Sequence, residues 1–411
     1  MQILLTGVTG LIGGGVLTRL LDQDHVKKIF VLIRPGKDSS AQERLEALYS
    51  EILPPHKRTA ALAKTQAISG NLTQPGLDLS KEDRETLVKN VTQILHIAAS
   101  TKFNAPMEEL RAYNVNGTRR MLDLAREALK NGQFKRFDYC STAYVAGDKP
   151  GHVNENDLHR DQAFSNNYER SKYETETMIR SEAKEVPFSV YRPSIVVGQS
   201  NNGYTPHFRV LYWPIKMIAN GIVPVIPCTK KATLDVVPSD YICNSIVALS
   251  QCDETIGETY HLTAGHGNEV TVGNLLKDSM KLGTVAWRPM IPVWIFRLIE
   301  HSPLRHLLGN KFWAMAEKAA PYTRYIVGTG VTYDASKTHA MLAKLGVQIP
   351  KWNDYKHRIF AYAQATAWGK KSIRPDYYFL DSDATPVDLE AIVYPNSNET
   401  SSIRKLQAAK G

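Results

Sequence analysis

The sequence predicts an α/β fold: a doubly wound parallel sheet of the Rossmann type with a smaller, mainly helical C-terminal lobe. Apolar runs of strand length alternate with helical stretches up to about residue 200. Strands can lie parallel only if long crossovers join them, and the helical stretches supply those crossovers. A glycine-rich turn joins the first strand to the first helix, and the alternation loosens beyond residue 200, where the second lobe begins.

The alternation places the elements in order along the chain. We expect strands at residues 3–5, 29–33, 66–72, 93–99, 137–142 and 188–193, with shorter strands at 222–226 and 259–263. We expect helices at residues 16–21, within 36–66, at 80–90 and 106–130, around 168, at 207–220 and 271–282, and within 333–368. These assignments depend on continuous apolar runs for buried strands and on a three-to-four-residue spacing for helices.

The first turn carries Gly7, Gly10 and Gly13 in the spacing Gly-x-x-Gly-x-x-Gly. Gly7 permits a tight turn, Gly10 lets the backbone approach a phosphate, and Gly13 lets the helix pack against the sheet. A strand, a glycine turn and a helix in this order place a pyrophosphate at a helix N-terminus. We therefore expect a dinucleotide cofactor, with a purely structural turn as the alternative.

The second predicted strand ends at Arg34. A site selective for NAD usually carries an acidic residue at this strand end, where it binds the ribose 2′-hydroxyl. A guanidinium suits a 2′-phosphate instead, because it can donate two parallel hydrogen bonds to phosphate oxygens. The sequence thus favours NADPH, with Arg44 and Lys37 as weaker candidates for the same phosphate and a solvated surface arginine as the alternative.

Tyr168 and Lys172 are one helical turn apart, so both side chains leave the same face of a helix. An ammonium beside a phenol lowers the pKa of the phenol, which could then protonate an oxygen while a hydride attacks the attached carbon. The same pair also arises by chance in many helices. The fifth strand ends at Ser141 and Thr142, at the sheet edge where ligands bind in such folds. We expect Thr142 to face the tyrosine, with Ser141 as the fallback.

The composition narrows the class of protein. The 411 residues contain no run of 18 or more apolar residues, so no transmembrane helix is expected. The first predicted strand begins at the N-terminus, so no signal or transit peptide is expected either. Four scattered cysteines favour a reducing, cytoplasmic compartment over a disulfide framework or a metal site. The net charge of +9 suits a phosphate-rich cofactor, an acidic carrier or an anionic membrane surface, and no nucleic-acid-binding module is evident.

Together the glycine turn, the hydroxyl at the strand end and the Tyr-x-x-x-Lys pair resemble the extended short-chain dehydrogenase/reductase superfamily over residues 1–265. Within it, the chain is most similar to thioester reductases and fatty acyl-CoA reductases, the male-sterility-type NAD-binding family. The segments that carry this likeness are 31–35, 69–80, 96–99, 114–118, 141–145 and 191–198. Asn71 stands where that family usually has an aspartate that binds the adenine.

This resemblance implies roles for individual residues. The pyrophosphate would be wrapped by Gly7, Thr9, Gly10, Leu11, Ile12 and Gly13. Arg34 would hold the 2′-phosphate. The remaining cofactor contacts would come from Asn71 and Leu72 at the adenine, Ala98 and Ala99 at the ribose, and Pro193, Ser194 and Ile195 at the nicotinamide. Lys172 would bind the nicotinamide ribose, and Tyr168 and Thr142 would donate to the substrate oxygen. His96 is expected to be a core residue, and Asn116 to serve either structure or catalysis.

The function that the resemblance implies is NADPH-dependent reduction of an acyl thioester, on CoA or an acyl carrier protein, to an aldehyde and, after a second hydride, an alcohol. A ketone or alcohol dehydrogenase, an epimerase or a dehydratase acting on a sugar nucleotide or a sterol-like substrate is the alternative. A non-catalytic NADP-sensing protein is the second alternative.

Residues 1–200 are expected to form the cofactor domain, with strands returning from about 222–263. Residues 201–380 would form the substrate lobe, and 381–411 a flexible tail. Residues 287–299 are rich in Trp, Ile and Arg. They predict a buried helix, with the wall of an acyl-chain tunnel or a peripheral membrane contact as alternatives.

Overall fold

A seven-stranded parallel sheet forms the centre of the molecule, seen here in a computed structural model. The structure describes residues 1–208, 210–220, 225–282, 287–302, 305–306, 309, 312–314, 317, 328 and 330–371. The strands are β1 (Gln2–Thr6), β2 (Lys28–Ile33), β3 (Thr65–Ser69), β4 (Gln93–His96), β5 (Arg136–Cys140), β6 (Phe188–Pro193) and β7 (Thr259–Leu262). Their order across the sheet is β7-β6-β5-β4-β1-β2-β3, and every neighbouring pair is parallel.

The helices connect these strands and cover both faces of the sheet. In the first part of the chain they are α1 (Leu11–Leu21), α2 (Ala41–Ile52), α3 (Pro55–Lys64), α4 (Lys81–Asn90), α5 (Met107–Leu110), α6 (Asn116–Lys130) and α7 (Asn167–Glu182). Later in the chain they are α8 (Tyr212–Ala219), α9 (Ser239–Ser250), α10 (Val272–Lys281), α11 (Val293–Glu300), α12 (Ser336–Lys344) and α13 (Trp352–Ala365). A π-helical turn, Arg111–Val115, separates α5 from α6.

Successive side chains of β1 point to opposite faces of the sheet, as the pleat requires. Ile3 and Leu5 belong to the apolar cluster under α1, α2 and α9, whereas Leu4 belongs to the cluster under α4, α6 and α7. Both faces of the sheet are therefore buried, which is why its strands are continuous apolar runs rather than alternating ones. The predicted doubly wound fold is confirmed.

The strand order reverses between β1 and β4, because the chain continues to β2 on one side and later returns to β4 on the other. The carboxyl ends of β1 and β4 lie side by side, with Thr6 in register with His96. A crevice at such a reversal is where ligands bind in open α/β sheets. The topology therefore directs attention to the residues that directly follow these strands.

The second lobe has its own apolar core, in which Ile195, Tyr212, Leu275 and Tyr355 meet. Short strand pairs border it and join it to the first lobe: Ile195–Val197 with Val236–Pro238, Thr233–Leu234 with Val270–Thr271, Ile226–Pro227 with Met290–Ile291, and Gly151–Val153 with Val331–Tyr333. The sequence did not predict these pairs, since two- and three-residue strands carry no periodic signal. Of the strand expected at 222–226, residues 222–224 lie outside the described residues, as does the expected tail 381–411.

Candidate active site

A cavity of about 430 Å³ opens at the carboxyl edge of the sheet. It is bounded by the glycine turn after β1, the exits of β4, β5 and β6, and the first turns of α7. The predicted residues that line it are Gly7, Thr9, Gly10, Leu11, Ile12, Gly13, Ala98, Ala99, Ser141, Thr142, Tyr168, Lys172, Pro193, Ser194 and Ile195. The structure thus brings together side chains that are up to 188 positions apart in the chain (residue 195 minus residue 7).

A smaller cavity of about 100 Å³ continues from the first and shares Gly7, Thr9, Ala98 and Tyr113 with it. The four other predicted cofactor residues, Arg34, Arg44, Asn71 and Leu72, line this second cavity. The two cavities form an elongated path from the exit of β2 to α7. An extended dinucleotide would need such a path across the reversal in strand order.

The glycine turn leaves no room for side chains at two of its positions. Gly7 has φ +82°, and a Cβ there would lie 2.7 Å from the backbone nitrogen of Ala98. A Cβ at Gly13 would lie 2.1 Å from the carbonyl oxygen of Gly7. The backbone is therefore packed tightly against the exit of β4, and the turn lines the cavity. These features fit a pyrophosphate cradle at the N-terminus of α1.

His96 is a buried core residue, 1% exposed, as expected. The Thr118 hydroxyl donates to the Asn114 carbonyl (2.6 Å), so it can only accept from the Nε2 of His96 (3.0 Å). The Nδ1 of His96 then accepts from the Thr6 hydroxyl (2.8 Å), whose oxygen accepts from two amides after β4, those of Ile97 and Ala98. Burial lowers the pKa of His96 to about 3, so the ring is neutral and its tautomer is fixed by its partners.

Thr142 and Tyr168 face each other at the end of β5. The Thr142 hydroxyl donates to the carbonyl of Pro193 (3.3 Å) and is close enough to Tyr168 to stabilise an ionised phenol. Phe103 stacks on the tyrosine ring, with centroids 5.5 Å apart, and restricts its position. Two hydroxyls therefore converge on the cavity from different elements, which is the arrangement needed to bind a developing oxyanion.

The neighbouring hydroxyl, Ser141, has a different partner. It is 3% exposed and donates to the Glu176 carboxylate (2.9 Å). Burial alone would raise the pKa of Glu176, but the guanidinium of Arg192, assisted by Arg180, lowers it to about 2. Glu176 is thus a permanent anion that holds Ser141, and the geometry favours Thr142 over Ser141 as the hydroxyl available to a substrate.

The expectation that Lys172 lowers the pKa of Tyr168 is wrong in this structure. One edge of the Tyr168 ring faces the cavity, yet burial of the phenol raises its pKa well above its ordinary value, and Cys140 and Glu169 raise it further. Lys172 is 1% exposed, donates to the Cys140 carbonyl (2.6 Å) and lies 4.2 Å from the centroid of the Tyr139 ring. Tyr168 is therefore a protonated phenol at neutral pH and holds a proton that it can donate.

Burial also lowers the pKa of Lys172 itself, to about 8, because the ammonium is poorly hydrated. The Cys140 thiol and the Glu176 carboxylate act in the opposite direction. Lys172 therefore carries most of its charge at neutral pH and loses it above about pH 8. Lys172 is the only lysine among the residues that line these two cavities.

Asn114 is a site residue that sequence reasoning missed. Its side-chain amide donates to the Ser171 hydroxyl (2.8 Å) and the Ser100 carbonyl (3.1 Å), and accepts from the Ser100 amide (2.7 Å). Asn116, which the sequence suggested for this kind of tie, instead accepts from Arg119 at the helix surface (2.8 Å). The segment 114–118, with its two asparagines, indicated that one of them could tie a helix to its surroundings. The π-helical turn determines which of the two points inward.

Arg34 and Arg44 lie at the far end of the path, beside Asn71. The Arg44 guanidinium donates to the Arg34 carbonyl, and within the described part of the chain neither arginine forms an ion pair with a carboxylate. The Asn71 side-chain oxygen accepts from the amide (3.1 Å) and hydroxyl (2.9 Å) of Thr73. This end of the path is therefore positive and offers the Asn71 amide group, rather than a carboxylate, to a ligand.

The prediction of a buried helix at residues 287–299 is wrong. The segment contains the short strand Met290–Ile291 and α11, and no residue of α11 is buried. Trp287, Trp294 and Leu298 are 74%, 64% and 63% exposed. None of these residues lines the 430 Å³ cavity, so the part of the chain that the structure describes gives no support to a tunnel wall here.

A glycine cradle after β1, a hydroxyl at the exit of β5 and a Tyr/Lys pair on one helical turn meet at one cavity, and they define an NAD(P)-binding domain with the extended short-chain dehydrogenase/reductase fold. A family model described as male sterility protein, an NAD-binding domain, matches residues 5–246. The chain belongs to this family.

Individual relatives agree with this assignment. The fly protein "Fatty acyl-CoA reductase wat" of Drosophila melanogaster is 25% identical over 342 residues, which cover 74% of this chain and 66% of that protein. "Nonribosomal peptide synthetase asaC" of Aspergillus flavus is 29% identical over 84% of this chain and 34% of its own length. The chain therefore spans just under two thirds of the fly protein and about a third of the synthetase.

Among solved structures, the terminal R domain of the myxalamid PKS-NRPS pathway is similar, with a TM-score of 0.72. The similarity covers 90% of this chain and 92% of that domain at 23% sequence identity. At this identity the likeness supports the fold alone. Among the described residues, none of the helices combines the length and the apolar character needed to cross a bilayer.

Proposed function

We propose that the chain reduces an acyl thioester with NADPH and releases an aldehyde and a thiol. The observation that carries the proposal is the convergence of Thr142 and a protonated Tyr168 on one cavity that continues into the glycine cradle. When bound, NADPH supplies the hydride for the thioester carbon. The names of the relatives, a fatty acyl-CoA reductase and a nonribosomal peptide synthetase, support a thioester as the carbonyl compound.

In this proposal Tyr168 and Thr142 bind the carbonyl oxygen of the thioester. As negative charge develops on that oxygen, Tyr168 donates its proton, and Thr142 turns its hydroxyl proton from the Pro193 carbonyl to the oxygen, which stabilises the resulting hemithioacetal. Collapse of the hemithioacetal breaks the carbon–sulfur bond. The carbonyl is then restored as an aldehyde, and a thiol leaves with a proton. A second hydride would give an alcohol if the aldehyde stayed bound.

Lys172 is proposed to bind the nicotinamide ribose and to supply positive charge behind the tyrosine. The roles of Ala98, Ala99 and residues 193–195 remain those expected from the sequence, as contacts to the ribose and the nicotinamide. Residues 1–200 are proposed as the cofactor domain and 201–380 as the substrate lobe. The cavity that both would contribute to is lined by the cradle on one side and by residues 193–196, His207 and Val210 on the other.

NADPH is proposed over NADH because two arginines, Arg34 and Arg44, meet at the adenosine end of the path. Guanidinium groups without a carboxylate partner suit a doubly charged 2′-phosphate. The carrier is proposed to be CoA or a carrier protein, both of which present the acyl group on a flexible thiol arm. A cavity open to the surface suits either one.

A peripheral membrane contact is proposed for the exposed face of α11. Trp294 and Leu298 are one helical turn apart, and Arg297 lies between them in the sequence. Exposed tryptophan and leucine beside arginine suit an anionic lipid surface. We expect the wild-type protein to sediment with phosphatidylserine-containing vesicles, Trp294→Glu to do so much less, and the control Gln42→Glu, which adds the same charge on α2, to behave as wild type. Equal sedimentation of all three proteins would exclude this contact.

The main test is NADPH consumption with a panel of acyl-CoA and carrier-bound thioesters of different chain length, with products identified by mass spectrometry. Tyr168→Phe should abolish turnover. Tyr173→Phe is the matched control, because it lies on the same helix and its hydroxyl contacts His159 rather than the cavity. Failure of the wild-type protein on every thioester, or full activity of Tyr168→Phe, would contradict the proposal.

Two further observations separate the alternatives. Tightly bound NAD that co-purifies with the protein would favour an epimerase or dehydratase. A phenotype that depends on Gly10 but not on Tyr168 would point to a non-catalytic NADP-sensing protein.

A further inference from the structure

Asp235 is a buried acid outside the predicted site, and it joins three segments that meet at the carboxyl edge of the sheet. Asp235 is 5% exposed and directly precedes the short strand Val236–Pro238. One carboxylate oxygen accepts from the Ser194 hydroxyl and from the Ala264 amide (2.8 Å). The other accepts from the Gly265 amide (3.2 Å). The carboxylate thus ties the exit of β6 to the exit of β7.

The segment that Asp235 holds is a wall of the candidate active site. Pro193, Ser194 and Ile195 all line the cavity. The backbone of Asp235 strengthens the tie, because its carbonyl accepts from the Ile195 amide (3.2 Å). On the inner side of the same wall, the Pro193 carbonyl accepts from the Thr142 hydroxyl (3.3 Å). A continuous chain of contacts therefore runs from Asp235 through Ser194 and Pro193 to Thr142.

We propose that Asp235 is a positioning residue for the reduction, whose ionised carboxylate holds the 193–195 wall and, through the Pro193 carbonyl, the hydroxyl of Thr142. This inference rests on the proposed function for its kinetic consequence, but not for its structural one. A carboxylate supplies only acceptors, and all three of its partners donate to it here. Protonation would remove the negative charge and turn one acceptor into an O–H, which can face neither amide and would force the Ser194 hydroxyl to reverse its bond.

The surroundings of Asp235 make its ionisation sensitive to pH. Burial, assisted by the nearby carboxylate of Glu269, raises its pKa to about 6 against the opposing effect of the Ser194 hydroxyl and the two amides. The other titratable groups around it are Tyr241 of α9, Tyr355 of α13 and, beyond Gly265, His339 of α12. Within the described residues no lysine or arginine forms an ion pair with Asp235.

The sign of the effect separates activity from stability. The folded-state pKa lies above the ordinary value of 3.8, so the folded protein binds the proton more tightly than the unfolded chain between about pH 4 and pH 6. The contribution of this group to stability is therefore present below that interval and is lost as the pH rises through it. Protonation of Asp235 in acid should therefore loosen its hold on residues 193–195, but it should not reduce the stability of the folded protein.

The test compares wild type with Asp235→Asn, which mimics the protonated acid, and with Asp278→Asn, an acid of the same lobe that pairs with Lys356 (3.0 Å). With a thioester that the wild type turns over, we expect the kcat of the wild type to decrease as the pH falls below about 6. This decrease is called the acid limb of the pH profile. Asp235→Asn should have a kcat at pH 7.5 that is roughly 10- to 100-fold lower and should lack the acid limb. Its melting temperature and its affinity for NADPH should stay close to those of wild type, and Asp278→Asn should keep both the rate and the limb.

Two further variants change the contacts of the carboxylate. Ser194→Ala removes the hydrogen bond through which the carboxylate holds the wall, so it should lower kcat and weaken the acid limb, as Asp235→Asn does. Glu269→Gln deletes a nearby negative charge and should move the limb to lower pH. An acid limb that stays in place in Glu269→Gln, or a normal kcat in Asp235→Asn, would overturn the proposal.

Hydrogen–deuterium exchange keeps the test independent of the reaction. After correction for the intrinsic pH dependence of exchange, Asp235→Asn should lose protection in a peptide covering residues 193–197, whereas Asp278→Asn should not. If no thioester is reduced by the wild type, the proposed function fails while this measurement still decides the role of Asp235. Unchanged protection in Asp235→Asn would show that the carboxylate does not hold the wall.

Discussion

The side-chain amide of Asn114 donates a hydrogen bond to the Ser171 hydroxyl, 2.8 Å away. Ser171 directly precedes Lys172 on α7, and it also donates to the Tyr168 carbonyl (2.8 Å). The π-helical turn is thus tied to the one turn of α7 that carries both proposed catalytic residues. The position of the tyrosine and lysine therefore depends on a residue that touches neither of them.

Asn114→Ala should weaken both folding and catalysis. The substitution leaves the Ser100 amide and carbonyl, which Asn114 now satisfies, without their partner in a partly buried segment. A buried polar group left unpaired costs about 1–3 kcal/mol in the free energy of unfolding. Chemical denaturation should detect this loss, and kcat should fall more than the affinity for NADPH. Asn116→Ala, at the helix surface, is the control and should change little.

Thr142→Val and Ser141→Ala should have different consequences, although the two hydroxyls are adjacent in the sequence. Thr142→Val removes a donor to the oxyanion and should reduce kcat by about 10²- to 10³-fold. Ser141→Ala removes one partner of the buried Glu176, which keeps its two arginines, so the cost should appear mainly in stability. Steady-state kinetics and thermal melts on both variants measure this difference. Equal loss of kcat in the two variants would show that the hydroxyls are not distinguished.

Arg34→Ala should change the choice of cofactor. Loss of a charged hydrogen bond to the 2′-phosphate corresponds to about 1.5–3 kcal/mol, which is roughly a 10- to 100-fold weaker binding of NADPH. The affinity for NADH should stay the same, because NADH has no phosphate at this position. Fluorescence titration with both nucleotides gives the ratio. Lys37, the other candidate for this phosphate, lines neither cavity, so Lys37→Ala serves as the control for a general loss of positive charge. An unchanged ratio in Arg34→Ala would remove the argument for NADPH.

The rate should fall as the pH rises above about 8, because Lys172 loses its proton there. The pKa of Lys172 is lowered from 10.5, so the unfolded chain binds more protons than the folded protein between about pH 8 and pH 10.5, and stability rises with pH over that interval. Activity and stability should therefore move in opposite directions on the alkaline side. Lys172→Arg, which keeps its charge, should lose this alkaline limb even if its rate is low. A profile that is flat to pH 10 in the wild type would contradict the assignment.

Much of the site could be predicted because its determinants are local. The glycine spacing, the end of a strand at Thr142 and the four-residue interval from Tyr168 to Lys172 are each fixed within one element. The carboxyl ends of parallel strands meet at one edge of a sheet, so the residues that follow β1, β4, β5 and β6 could be expected there, whereas the strand order itself was not predicted.

Other features depend on contacts that the sequence does not display. The inward position of Asn114 depends on a π-helical turn, which changes the phase of the helix relative to Asn116. The direction of the Tyr168 pKa shift depends on how deeply the phenol is buried, and burial outweighs the nearby ammonium. Asp235 precedes a three-residue strand without periodicity, so its tie to Ser194 becomes visible only when the two lobes are assembled.

The hydrogen bonds of His96 have a consequence for how the protein responds to acid. With a pKa of about 3 and both ring nitrogens occupied by threonines, this histidine does not change charge at any pH at which the protein would be assayed. The ring stays neutral, and its Nδ1 accepts from Thr6 beside the cradle while its Nε2 donates to Thr118 beside the π-helical turn. A loss of activity near pH 6, the range usually ascribed to histidine, would therefore not come from His96.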